Sequence, residues 1–303
     1  MIGAIAIVGT TASGKSALAL ELARQNPEVE LISVDSMQVY RGMDIGTAKP
    51  TRAEQQEVRH HLIDIADPDE EFTVARFQRV FREVIADIEQ RGGRAVLVGG
   101  TGLYLRAVVD DLIIPGQYPD VWAELDDEPD TAALHRRLRQ LDPIAASRME
   151  PTNRRRVVRA LEVTLGSGAP FSTFGPGLDA YPPSPYRLIG IDLPHDVVAT
   201  RIERRFHQQI ADGFLGEVEA LAARPKGLSR TAQQALGYKE LLSHLAGECT
   251  LDAAVEEASR RTRRFARRQR SWFRRDPRIE WLPADTEPLS VLPSLLAALS
   301  GHT

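Results

Sequence analysis

Cysteine is nearly absent from this chain of 303 residues: Cys249 stands alone, which excludes an intrachain disulfide and any zinc site built from several thiolates. Its ordinary reading is an inert, half-buried thiol. No apolar run approaches the about 20 residues needed to cross a bilayer. The N-terminal MIGAIAIVGT has neither the basic start nor the small-residue cleavage site of a secretory leader, so the expected compartment is the cytoplasm. The 7 histidines are scattered and show no metal-ligand spacing. The two adjacent ones, His60 and His61, lie on a predicted strand, point to opposite faces, and are expected to be structural. An excess of positive charge is also missing, with a net charge of −4. Yet residues 260–275, RRTRRFARRQRSWFRR, hold nine arginines and no acid. A mildly acidic chain with one intensely basic segment points to a local polyanion site rather than general stickiness.

What is present is ordinary in bulk, 43% apolar and 26% charged, and the length permits one large or two modest domains with a full core. Buried strands are expected at residues 2–8, 30–35, 94–100, 186–193 and 278–282. Helices are expected from Lys15 to Arg24 and over 72–90, the second stopped by Gly92 and Gly93. The alternation predicts an α/β fold, a mainly parallel sheet flanked by helices. Between 112 and 185 short helical pieces sit among proline- and glycine-rich connections. That stretch reads as a helical insertion, a candidate lid, dividing a core formed by 1–111 and 186–303.

Gly9, Gly14, Lys15 and Ser16 match G-x-x-x-x-G-K-[ST] between a predicted strand and helix. Small residues let backbone N–H groups turn inward, the helix N-terminus adds positive potential, and Lys15 adds a mobile cation. Ser16 is the expected Mg²⁺ ligand. The motif identifies a diphosphate or triphosphate, not a reaction. Hydrolytic ATPases commonly follow a later buried strand with an acid, whereas here 95–98 run into GGTGLY. The candidate acid is Asp35, at the end of the second strand, where an acceptor's proton could be collected. It equally suits a cap for the next short helix. The long polar loop that follows, 34–50, lies where loops usually carry function.

That loop, DSMQVYRGMDIGTAKP, closely resembles the tRNA dimethylallyltransferase (isopentenyltransferase) family. HHLIDI (60–65), VGGTGLY (98–104), RALEV (159–163), QQALGYKE (233–240) and RRQRSWFR (267–274) resemble further blocks of that family, in its order, over nearly the whole chain. The resemblance implies a P-loop NTPase-like fold. It also implies transfer of a dimethylallyl group from dimethylallyl diphosphate to N6 of the adenosine 3′ of the anticodon, in tRNAs that read codons beginning with U. Diphosphate is then a leaving group, which fits the missing hydrolytic acid. Adenine's amino group is a poor nucleophile, so a base at N6 helps, and the resemblance assigns that role to Asp35. Gly9, Thr10, Thr11, Ala12, Ser13, Gly14, Lys15 and Ser16 with Mg²⁺ are expected to stabilise the diphosphate, and Thr101 to reach the reacting region or cap a helix. Ser36, Met37 and Gln38 are expected beside the target base, Gln38 offering an amide to an adenine edge.

RNA contact is further expected from Arg155, Arg156, Val157, Val158 and Arg159 in the insertion and from Arg267, Arg268 and Arg270. In the latter helix Ala258, Thr262, Phe265, Gln269 and Trp272 form the expected core stripe. The expected partners are the tRNA anticodon stem-loop and dimethylallyl diphosphate, with no membrane, for a monomer. Lys239 receives no role from the residues alone. The chain departs from the family pattern in a shorter insertion, in Trp122 where arginine is frequent, and in PTNRRR, without the usual aspartate after asparagine. A small-molecule or nucleotide kinase and a nucleic-acid-binding ATPase are the competing readings of the phosphate loop.

Overall fold

The computed structural model describes residues 4–301; the first residues of the strand expected at 2–8 lie outside them. Along the chain run β1 (Ile5–Val8), α1 (Lys15–Arg24), β2 (Val29–Val34), α2 (Arg52–Glu57), β3 (His60–His61), α3 (Val74–Gln90), β4 (Arg94–Gly99) and α4 (Gly102–Val109). Then come α5 (Pro119–Asp126), α6 (Thr131–Leu141), α7 (Pro143–Ser147) and α8 (Arg154–Ser167), followed by β5 (Arg187–Asp192), α9 (His195–Ala211), α10 (Phe214–Ala222), α11 (Arg230–Gln233), α12 (Tyr238–Leu245), α13 (Leu251–Phe273), β6 (Ile279–Pro283) and α14 (Leu292–Ser300). The chain forms two compact units, Met1–Asp110 with Pro183–Thr303 and Asp111–Pro182.

The first unit is built on one parallel sheet in the order β3-β2-β4-β1-β5-β6. IAIV and VELISV are buried at every position because helices cover both faces; the first is a continuous apolar run, and the second buries Glu30 and Ser33 among its apolar residues. The two-residue β3 is an edge strand and coincides with the strand expected at His60 and His61. His60 Nδ1 lies 2.7 Å from the Val58 carbonyl and His61 Nε2 2.6 Å from Glu30 Oε2. β4 inserts between β2 and β1 with Ile5 beside Val96 and Val34 beside Gly99. The carboxyl ends of β1, β4 and β2 therefore lie side by side, where parallel sheets place their sites.

The second unit is all-helical, with a core of its own around Leu125, Leu134, Leu138, Val157, Val158 and Leu161. Asp142 and Asn153 cap α7 and α8 through Ala145 N and Arg156 N, satisfying donors that the first helical turn leaves open. Val157 and Val158 are 0% and 3% exposed. The expectation that their side chains meet RNA is therefore corrected: they are the apolar face that holds α8 in place.

Candidate active site

The turn after β1 enters α1 through Gly14, whose φ of +83° and the Pro288 ring, 2.4 Å from where a Cβ would sit, leave room for no side chain. Lys15 opens the helix and donates to the Thr10 carbonyl at 3.2 Å. Burial pushes its ammonium down to about 8, the nearby Asp35 charge only partly offsets this, and Arg205 lowers it further. Ser13 is fully buried, and its hydroxyl has no partner among the described residues. Ser16 is exposed on the first turn of α1. The amides of that turn lie ahead of the first intrahelical bond, Leu18 N to Gly14 O at 3.0 Å, and so point toward an anion. Not every loop amide is available, however: Ser13 N donates to Thr10 O at 3.2 Å and Thr11 N to Gln269 Oε1 at 2.8 Å.

Two arginines of α9 complete this side of the site. Arg201 Nε donates to the Ala12 carbonyl at 2.9 Å, and Arg205 Nη2 to Thr11 Oγ1 at 2.7 Å. Arg205 is also held in the field of Asp35, while burial lowers its pKa. Sequence reasoning passed over both. Their i,i+4 spacing in RIERR was the one available signal, and a solvated helix face was the simpler reading.

Asp35 leaves β2, and its Oδ1 accepts from Met37 N at 2.8 Å and Gln38 N at 3.4 Å. The carboxylate therefore caps a turn over 36–39 and not the short helix expected there, and the same bonds orient it, since both end on one oxygen. Thr101 precedes α4 without capping it; its Oγ1 accepts from Ser36 N at 3.3 Å and ties the β4 turn to the Asp35 loop. Gln38 corrects an expectation. Its amide donates to the Thr47 and Ala48 carbonyls, both at 3.2 Å, and accepts from Ser33 Oγ at 2.7 Å. The amide offered to an adenine edge is thus engaged inside the loop.

The rest of that loop is held from beneath. Lys49 is 9% exposed and donates to the Tyr40 carbonyl, to Asp44 Oδ1 at 2.5 Å and to Asp64 Oδ1 at 2.6 Å. The Glu217 carboxylate, from α10, accepts from three successive amides, Asp44, Ile45 and Gly46, and from the Tyr238 hydroxyl at 2.6 Å. A cavity of about 640 Å³ adjoins these residues, lined by Asp44, Lys49, Asp64, Arg205, Gln209 and Asp212 among others.

The arginines of α13 divide into two sets. Arg260 pairs with Glu257, Arg261 with Glu240, Arg263 with Glu203, and Arg270 and Arg274 with Asp192. The segment's own lack of acids had suggested unbalanced charge, but most of these carboxylates arrive from other elements. Arg270, expected to meet RNA, is turned to Asp192 and donates to the Leu193 carbonyl at 2.9 Å. Arg264, Arg267 and Arg268 remain exposed. In the second unit Arg155 and Arg156 are exposed, whereas Arg159 donates to the Pro115 and Gly116 carbonyls at 2.8 and 3.0 Å and pairs with Glu162. Among the described residues no helix is long and apolar enough to cross a membrane.

The IPP transferase family model matches residues 38–276. A tRNA dimethylallyltransferase of Bifidobacterium longum subsp. infantis is 47% identical over 287 residues, 92% of this chain and 86% of that protein. One of Salinispora arenicola is 49% identical over 284 residues, 92% and 81% of the two chains. Among solved structures, the full-length tRNA isopentenylpyrophosphate transferase of Bacillus halodurans aligns over 100% of this chain and 98% of its own, with a TM-score of 0.71 and 38% identity. A eukaryotic dimethylallyltransferase caught acting on tRNA aligns over 95% and 74%, with a TM-score of 0.79 and 27% identity.

Proposed function

This chain belongs to the IPP transferase family and is a transferase that puts a dimethylallyl group on tRNA; from this premise we propose how its residues perform that reaction. The donor is dimethylallyl diphosphate, seated on residues 9–16. The acceptor is N6 of an adenosine extruded from the anticodon loop, next to the anticodon on its 3′ side. N6 attacks the allylic carbon, the carbon–oxygen bond breaks, its electron pair leaves with diphosphate, and the N6 proton passes to Asp35. A kinase reading of the phosphate loop is set aside by family membership.

One observation carries this assignment: Lys15 and Arg205 are bonded to Thr10 and Thr11 of the loop after β1, and both lie in the field of Asp35 at the end of β2. A cation in that place stabilises the charge that accumulates on a departing diphosphate. The carboxylate, held by Met37 N, offers a base worth roughly 10²–10⁴-fold. The exposed Ser16 hydroxyl at the loop's end suits Mg²⁺, which takes few protein ligands and keeps its other positions for phosphate and water. When bound, that ion would supply further charge neutralisation to the leaving diphosphate. Thr101 holds Ser36 and so sets the turn that carries Asp35. Arg264, Arg267, Arg268, Arg155 and Arg156 provide exposed charge for the RNA backbone. The chain works as a monomer in the cytoplasm.

The test is direct. Unmodified tRNA, Mg²⁺ and the protein are incubated with dimethylallyl diphosphate or with ATP, and the ribonuclease fragments and their nucleosides are weighed. Adenosine heavier by one dimethylallyl group, at the position 3′ of the anticodon and only with the diphosphate donor, is the expected result. Prenylation at another nucleoside would overturn the acceptor assignment.

A further inference from the structure

The α13 helix carries one buried amide among its arginines. Gln269 is 7% exposed, and its two polar atoms are bonded to backbone of two different loops. Oε1 accepts from Thr11 N at 2.8 Å, and Nε2 donates to the Gly100 carbonyl at 2.8 Å. The side chain thus behaves like a peptide unit laid between the turn after β1 and the turn after β4. Its partners fix which way the amide faces, because a reversed amide would set oxygen against oxygen.

The held loop is one that needs holding. Ala12 sits at a φ of +62°, a left-handed conformation unfavourable for a residue with a Cβ. It is clamped on both sides, by Gln269 on Thr11 N and by Arg201 on the Ala12 carbonyl. Thr11 in turn accepts Arg205 on its hydroxyl. A line of bonded groups therefore runs from Gln269 through Thr11 to Arg205. Gly100 belongs to the same joint: a Cβ there would lie 2.4 Å from Gln269 Nε2.

We infer that Gln269 is a positioning residue for the transfer: its amide sets the diphosphate loop and Arg205 against the β4 turn, without itself touching donor or RNA. This rests on the seating of diphosphate in residues 9–16 proposed above. Binding energy there depends on placement to a fraction of an ångström.

The experiment measures kcat and both KM values for Gln269→Ala, Gly100→Ala, the double variant and Lys15→Met. Gln269→Ala is expected to raise the KM for dimethylallyl diphosphate roughly tenfold, the effect of one or two lost hydrogen bonds, and to lower kcat. KM for tRNA should stay within about twofold of the parent. Gly100→Ala, whose methyl displaces the amide without altering Gln269, should reproduce the donor effect. In the double variant the two effects should not add, because both remove the same bridge. Additive effects, or a Gln269→Ala enzyme that loses only thermal stability while its donor KM stays at the parent value, would overturn the inference. If Gln269→Ala fails to fold, Gly100→Ala decides alone. The Lys15→Met control separates the two claims. A donor KM insensitive to Lys15 overturns the diphosphate seat and the inference with it, and one sensitive to Lys15 but not to Gln269 overturns the inference only.

Discussion

Lys15 has its protonation moved within reach of neutral pH: burial holds its ammonium at about 8. Charged Lys15 attracts diphosphate and neutral Lys15 does not, so affinity is full below that value and falls as pH rises through it. Binding near that pH takes up a proton, and the bound diphosphate raises the lysine pKa again. Calorimetric titration of inorganic diphosphate from about pH 6 to about pH 10 should show this step, and Lys15→Met should bind weakly without it. At Asp35 the informative change is Asp35→Asn, which keeps an oxygen for Met37 N and removes the base. Single-turnover prenylation should slow by roughly 10²–10⁴-fold, while tRNA binding by filter assay stays near the parent value. Lys15 and Asp35 were legible in the sequence because a motif and a strand end marked them. The bonds of Gln38 and Thr101 were not, since whether an amide or hydroxyl faces a substrate or a carbonyl nine residues away is decided only when the loop closes on itself.

At the scale of elements, the loop over 36–50 and helix α13 behave differently. The loop is stapled by Lys49, whose ammonium joins Tyr40, Asp44 and Asp64. Lys49→Met should cost about 1–3 kcal/mol, read as a lower denaturation midpoint, and should lower kcat more than it raises KM for tRNA. Both carboxylate partners reach solvent, which keeps the cost below that of stranding a fully buried charge. The α13 helix presents its exposed arginines on one face. Changing Arg264, Arg267 and Arg268 to glutamine should reduce the slope of log affinity for tRNA against log salt by up to about 2, with donor KM unchanged. The helix itself was legible from its periodicity, and Ala258, Thr262 and Gln269 are buried as expected. Phe265 and Trp272 lie at the rim instead, with Ala266 and Phe273 inside, because a stripe spaced at 3.5 residues drifts against the 3.6-residue turn over so long a helix. The pairing of its arginines with Glu203, Glu240 and Asp192 could not be read from a segment that has no acid of its own.

For the whole molecule, the point where the sheet unit releases and recovers the chain is closed by a bond from Ser184 Oγ to the Val109 carbonyl at 3.2 Å. Residues 111–182 can therefore be replaced by a short glycine linker without pulling the sheet apart. The shortened protein should unfold cooperatively by circular dichroism and keep Lys15-dependent binding of diphosphate, while prenylation of tRNA disappears. Five strands and the helical stretch were visible in the sequence because apolar runs and proline-rich joints mark them; the strand expected at His60 and His61 is present as β3, but only two residues long. One further feature bears on how the molecule sorts anions. Three amides in succession at residues 44–46 form a concavity of the kind that captures a phosphate oxygen, and Glu217 already occupies it. An internal carboxylate thereby takes the donors that a phosphate oxygen would otherwise use, and this part of the loop is closed by α10 rather than left open to an anion.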